Sequence, residues 1–410
     1  SAAAPRAAAR PRAAGPGEHG DAGSISGRRG SACSTGSASL EPILVALPAD
    51  GAASVTQASL EEFMQEASSS IMPWDPGAFT HVKVLQDAVH NHTHVDHMLQ
   101  SLEGGSMRAV AVKRLPNSWM KAGPQEFHAH QPRAAERPWC DLGIVRYLNS
   151  IRFPWACNLL GVFRDEENTY AITSLATSGN LFAWSDCKPD PGPNREVVML
   201  PIVRQVFAAI ASLHRLGLAH RDVSLENILL TPGADGELQV RIIDFAMATS
   251  VRECCMEVRG KPSYQAPEMH LDTCYDAFLA DAFSLGVTLF AMALRDYPWS
   301  STRPGACALF GYVRRCGFRT FLQNRRLRPG IGTDYLVAVL SPSFAALLEG
   351  LLLVEPHNRL TLGEPCLDEA AERRASVWDT EWLKGDRPPD VCVMDEDGLD
   401  GDSSSRAAGG

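Results

Sequence analysis

The spacing of apolar residues changes along the chain, and each change marks an element. In "MRAVAVKRLP" (107–116) apolar and polar positions alternate and β-branched residues are frequent, which predicts a strand ending at Pro116. "SLEEFMQEA" (59–67) has helical spacing and reads as a short helix opened by Ser59. "CDLGIVRYLN" (140–149) places Ile144, Val145 and Leu148 on one helical stripe. "VVMLPIVRQVFAAIASLHRLG" (197–217) predicts a long helix with a strong apolar face and a stop at Gly217. "LQVRIIDFAMA" (238–248) reads as a buried strand running into a loop. "DAFSLGVTLFAMAL" (281–294) and "SFAALLEGLLL" (343–353) are apolar enough for core helices. A strand-rich first part followed by a helical second part predicts an α+β protein with two lobes.

The ends read differently. Residues 1–40 are Ala, Gly, Ser, Pro and Arg with few large apolar residues, so burial cannot offset their ordering entropy and disorder is expected. Residues 366–410 hold twelve acidic and five basic residues, which predicts an acidic, mostly flexible tail. Residues 41–79 form an N-terminal extension, 80–173 the small lobe and 174–365 the large one. With 45% hydrophobic residues in 410, the chain can bury one large core or two moderate ones. A net charge of −10 argues against nucleic acid as a partner. No apolar run approaches the length of a membrane span; "PILVALP" (42–48) is short even for a signal-peptide core. Eleven scattered cysteines suggest reduced thiols of cytoplasmic type. The chain opens on Ser1 rather than Met, which leaves a leader and secretion open.

Four features follow one another along the folded part: Lys113 in a strand, the polar run "HRDVSLEN" (220–227), Asp244 after a buried strand, and "YQAPE" (264–268). Phosphoryl transfer from ATP requires such groups. A Lys holds the α and β phosphates, a carboxylate and an amide hold Mg²⁺, and another carboxylate accepts the proton of the attacking hydroxyl. Any one of the motifs is weak; their order over about 250 residues is specific.

That order resembles the eukaryotic protein kinase pattern, and the resemblance covers roughly residues 80–363. It implies a bilobal fold with a β-rich N-lobe and a larger helical C-lobe, and a Ser/Thr kinase using ATP and Mg²⁺ on protein substrates. Lys113 would orient the phosphates, paired with Asp141 where the family usually has Glu; Glu136 is a poorer match in register. Asp222 would be the base, and Asn227 and Asp244 the metal ligands. Ala111, Thr173 (the gatekeeper position), Leu175 near the hinge and Leu229 would surround the adenine. Asp281, Ser284 and Gly286 match a further core motif, and Glu268 would form a buried ion pair with Arg359.

The departures point to a branch. Ala88, His90 and Thr93 stand where phosphate-cradling glycines are expected, Ser224 stands where Ser/Thr kinases usually have Lys, and "GKPSYQ" has Lys261 where a Thr usually follows the Gly. With Pro116, Trp119 and the "YLN" ending at 147–149, these resemble the FIKK kinases of apicomplexan parasites, though "AVKR" replaces Phe-Ile-Lys-Lys. That resemblance keeps export into a host cell open and implies a slower enzyme, because the glycines and the Lys are missing.

Other features have two readings each. His90, His92 and His94 would share one face of a strand, as a metal site or as an exposed hairpin. Cys254 and Cys255 form a redox switch or are inert thiols. Ser376 in "RRASV" resembles a site for basophilic kinases in the flexible tail. Glu226 stands where an acid reads basic substrates, while Asn180 replaces a second one. Arg221 beside the base marks kinases whose activation segment docks a phosphate on it; Thr249, Ser250, Ser263 and Tyr264 are poorly placed for this, so activity without such phosphorylation is expected. Two other functions compete: a pseudokinase scaffold binding nucleotide weakly, and a small-molecule kinase of the aminoglycoside or choline type. Retention of Lys113, Asp222, Asn227 and Asp244 opposes the first, and the "APE" segment with Arg359 opposes the second.

Overall fold

The computed structural model describes residues 55–87, 93–187, 189–233, 236–367 and 374–385. The first helical stripe becomes α1 (Gln57–Ser69), capped by Thr56 rather than Ser59. The Thr56 hydroxyl accepts from the Ser59 backbone N–H, and Ser59 Oγ accepts from the Thr56 N–H. This reciprocal box satisfies two donors that helix geometry leaves open, which places Ser59 inside the first turn.

Six strands form one sheet: β1 (Met72–Pro73), β2 (Phe79–Gln86), β3 (His94–Ser101), β4 (Met107–Pro116), β5 (Leu159–Arg164) and β6 (Asn168–Ser174). Their order is β1-β5-β6-β4-β3-β2, with β1 parallel to β5 and the other pairs antiparallel. Residues set apart as an extension by the sequence thus supply an edge strand of the small lobe. The alternation in β4 sorts its faces. Val110 and Val112 are fully buried beside Tyr170 and Ile172, where Trp74 stacks on Tyr170. Leu115 points the other way and packs with Trp139 and Leu142 of helix α2 (Pro138–Ser150). Lys113, two residues before Leu115, therefore faces that helix. Ile144 and Leu148 of α2 are fully buried and Val145 half-buried, as the stripe predicts.

The large lobe is built on α3 (Pro193–Arg215) and α4 (Ala277–Leu294), with α5 (Pro342–Leu351) against α4. Gly217 ends the α3 region at φ 78°, a conformation few side chains tolerate. β7 (Ile228–Pro232) and β8 (Leu238–Ile242) pair antiparallel, as do β9 (Glu253–Cys255) and β10 (Cys274–Asp276). By length and composition alone α3 and α4 are long and apolar enough to cross a membrane. Both are core helices here: every residue of α4 is buried, and a helix that is apolar all round is what a large core requires.

Residues 374–385 correct the expectation of a flexible tail. Thr361 N–H donates to Ala375 O, Trp382 Nε1 to Glu196, and Arg204 to Leu383 O, while Val377 and Leu383 are fully buried. Ser376 is 3% exposed and its hydroxyl caps the turn Val377–Asp379, so it is not presented as a kinase substrate. The expected disorder of 1–40, and the expectations for Ala88, His90 and His92, lie outside the described residues. His94 opens β3 and pairs with Asp87 at 3.0 Å.

His214 near the end of α3 is buried between two carboxylates, 3.1 Å from Asp281 and 3.8 Å from Glu364, and stacks on Phe278. Burial alone lowers its pKa, but the two acids outweigh it and push it up to about 9. A pKa raised above the unfolded value stabilises fully below about 6.5 and is lost as pH rises through about 9. The contribution lost is on the order of 3 kcal/mol. Thermal unfolding followed from pH 6.5 to 10 should show a falling midpoint, with a much flatter slope in His214→Gln.

Candidate active site

Lys113 leaves β4 and ends between two acids, 2.8 Å from Asp141 Oδ2 on α2 and 3.3 Å from Asp244 Oδ1. Burial pulls its pKa down most, yet the two carboxylates together raise it, so it stays charged. The same Asp141 accepts the backbone N–H of Phe245 through its other oxygen at 2.9 Å. Asp141 thus ties the lysine to the loop that carries Asp244. The shorter side chain is accommodated because α2 sits against that loop: Arg137 N–H donates to Ala246 O at 2.8 Å and its guanidinium to Ala248 O. Asp244 itself takes φ 65° and ψ 70°, uncommon for a residue with a Cβ.

The run at 220–227 is held from beneath. Asp281 of α4 accepts both the His220 and Arg221 backbone N–H groups, each at 2.7 Å. Within the loop, Asn227 Nδ2 donates to Asp222 O and to Asp222 Oδ2, both at 2.8 Å. Asp222 Oδ1 is buried without a hydrogen-bond partner. Burial above all raises the Asp222 pKa to about 6; Lys261 and His220 pull the other way. The Asp244 pKa is lowered, since Lys113 and His220 outweigh its burial. Such an unpartnered carboxylate oxygen is poised to accept a proton from a hydroxyl brought against it.

The segment after Asp244 wraps these groups. Arg221 donates to Glu257 at 2.5 Å, to Met247 O at 2.8 Å and to Cys254 Sγ at 3.4 Å. Lys261 Nζ lies 2.7 Å from Ser224 Oγ and 2.8 Å from Glu226 Oε2. Glu226 is thus engaged by Lys261. Tyr264 O accepts from Ser284 at 2.8 Å, and the Tyr264 hydroxyl meets Tyr297 and the Leu225 N–H. Cys255 is disulfide-bonded to Cys274 across β9 and β10, which departs from the expectation of reduced thiols for this one pair. Cys140, Cys157, Cys187, Cys307 and Cys316 are free thiols, and so is Cys254, buried against Arg221. Beneath lies the expected ion pair: Arg359 meets Glu268 at 2.5 and 2.9 Å, 1% and 6% exposed.

The residues expected around adenine are only partly gathered. Ala111 and Thr173 face each other across β4 and β6. Leu229 in β7 bridges to Asn180, and Leu175 follows β6 and lines a cavity of about 400 Å³ with Asn149, Arg152 and Arg241. Among the glycine-loop positions, Thr93 is described and lies just before β3. No motif in the sequence singles out Glu257 or Cys274, and Lys261 stands out there only as a departure from the kinase pattern. An acid in the segment before "GK" was the one signal for Glu257.

Asn227 and Asp244 offer amide and carboxylate oxygens, and Mg²⁺ is usually held by one or two protein oxygens plus substrate phosphates. With Asn227 Nδ2 turned to Asp222, its carbonyl oxygen is left to coordinate, so the pair fits the metal.

Residues 135–371 match the family model described as "protein kinase domain". The chain is 26% identical to the testis-specific serine/threonine-protein kinase 5 of Mus musculus over 70% of its length and 69% of the relative's. It is 27% identical to the serine/threonine-protein kinase GRIK1 of Arabidopsis thaliana, covering 53% and 50%, respectively. Against the probable serine/threonine-protein kinase KCC4 of Saccharomyces cerevisiae it is 34% identical, covering 56% of this chain and 20% of that one.

Proposed function

The chain belongs to the protein kinase domain family as a serine/threonine kinase, and on that premise we propose that it moves the γ-phosphate of MgATP to Ser and Thr hydroxyls of proteins. The observation that carries this is Lys113 held between Asp141 and Asp244, with Asp222 and Asn227 joined on the neighbouring loop. The hydroxyl oxygen bonds to the γ-phosphorus, the bond to the β–γ bridging oxygen breaks with its electron pair leaving on ADP, and the hydroxyl proton passes to Asp222 Oδ1. Lys113 positions the α and β phosphates, with Asp141 fixing its ammonium. Asn227 and Asp244 would hold Mg²⁺, which supplies positive charge to the leaving diphosphate. Ala111, Thr173, Leu175 and Leu229 are the proposed adenine neighbours.

A glycine-poor nucleotide loop at residues near 88–93, and the FIKK-like branch carried by Pro116, Trp119, Ser224 and Lys261, belong to the same proposal. So does a setting outside the cytosol, favoured by the Cys255–Cys274 bond because disulfides persist in oxidising surroundings. Label transfer from γ-labelled ATP to mixed Ser/Thr peptides tests the activity. Mg²⁺-dependent label on Ser or Thr is expected. Nucleotide binding without any transfer would instead favour the pseudokinase reading.

Glu257 occupies the Arg221 guanidinium that a phosphorylated segment would otherwise engage. Activity should therefore survive phosphatase treatment that removes all phosphate from the protein. Glu257→Ala should lower kcat by about tenfold, the scale of one charge-assisted hydrogen bond.

A further inference from the structure

From Asp222 to Asn227 the catalytic loop carries no cation: the residues are Asp, Val, Ser, Leu, Glu and Asn. The neighbouring Arg221 guanidinium is turned to Glu257, and Lys113 is held by Asp141 and Asp244. Yet the transferring phosphoryl group adds negative charge to a place that already holds Asp222, Glu226 and Asp244, and it needs positive charge fixed beside it.

Lys261 meets that need from the segment after Asp244, reaching across to the catalytic loop. Its amine lies 2.7 Å from Ser224 Oγ and 2.8 Å from Glu226 Oε2, which anchors it on the loop that carries Asp222. The backbone beneath it is built for close approach. Gly260 has φ 80°, and a Cβ there would lie 2.8 Å from Arg221 O and 3.3 Å from Asp222 Oδ1. The Lys261 carbonyl accepts from Tyr264 N–H and the Gly260 carbonyl from Gln265, so the turn is pinned. Where the kinase pattern has Lys on the catalytic loop and a hydroxyl residue after the Gly, this chain has the two exchanged: Ser224 and Lys261.

We propose that Lys261, carried by the segment after Asp244, supplies the cation beside the transferring phosphoryl group, with Ser224 and Glu226 aiming it. The inference rests on the kinase reading above. It replaces the expectation that the missing Lys slows the enzyme, because the charge is present on the other loop. The Glu257–Arg221 clasp and the phosphoryl cation then belong to one segment of the chain.

The test is a charge-exchange cycle on the full chain with MgATP and a Ser peptide that the wild type phosphorylates. Lys261→Thr should lower kcat by about 10²-fold, the scale for losing one fixed donor at developing charge, with KM for ATP and peptide changed less than about threefold. The double variant Ser224→Lys with Lys261→Thr should recover kcat to within about fivefold of wild type. Lys261→Gln, which keeps a donor and loses the charge, reads the same step if Lys261→Thr does not fold, with melting curves as the check. Unchanged kcat in the folded single variant, or no recovery in the exchange, overturns the proposal while leaving the kinase reading intact. Absence of transfer by the wild type overturns both.

Discussion

Asp222→Asn should lower phosphotransfer by about 10³-fold or more while leaving nucleotide binding and melting temperature near wild type. The amide keeps an oxygen that accepts the Asn227 bond, so the loop retains its shape; what it loses is the group that takes the hydroxyl proton. Asp244→Asn should be as inactive for a different reason. It removes a proposed metal oxygen and one of the two acids around Lys113, so MgATP affinity falls as well. The two variants are separated by nucleotide titration in Mg²⁺ and then in EDTA. Asp222→Asn should show Mg²⁺-tightened binding and Asp244→Asn should not. Transfer surviving in purified Asp222→Asn would remove this residue from the mechanism.

The second large effect concerns stability. The Arg359 guanidinium is bidentate to Glu268, also donates to Leu279 O and Leu353 O, and lies 4.9 Å over the Phe283 ring. Removing one partner strands a buried charge at a cost of about 3–5 kcal/mol. Glu268→Ala and Arg359→Ala should each lower the melting temperature by about 5–10 °C. The double variant should lose clearly less than the sum, because neither charge is then stranded. Strictly additive losses would show that the two side chains do not act as a pair in solution.

Short motifs of fixed chemistry are readable from the chain because their order along it is specific, although each alone is weak. Lys113 reaches Asp244 and Asp222 joins Asn227, and the Glu268–Arg359 pair closes as the kinase resemblance implies. Features that depend on which short elements meet were not readable. β9 and β10 are three residues each, too short for any periodicity, so nothing in the sequence joined Cys255 to Cys274. Ser376 looked exposed because two arginines and a small residue precede it; its burial comes from Val377, Trp382 and Leu383 docking on the large lobe. The reach of Lys261 to Ser224 spans 37 positions, and only the fold of the intervening segment brings them together.

The contact of α1 with α2 decides where a working fragment of this protein can begin. Gly143 of α2 lies so close to Met64 that a Cβ would sit 2.6 Å from its side chain, and Arg146 reaches Glu66 at 2.9 Å. Just ahead of α1 the Val55 N–H donates to Leu216 O in the large lobe, and Gln57, the first residue of α1, accepts from Ser250 Oγ beyond Asp244. α1 is therefore a splint across the two lobes, resting on the helix that holds Asp141. A recombinant fragment started at residue 80, or at the first residue matching the family, would strip this splint and leave Met64's groove on α2 open to water. Expression boundaries, crystallisation trials and inhibitor screens should all start upstream of Val55.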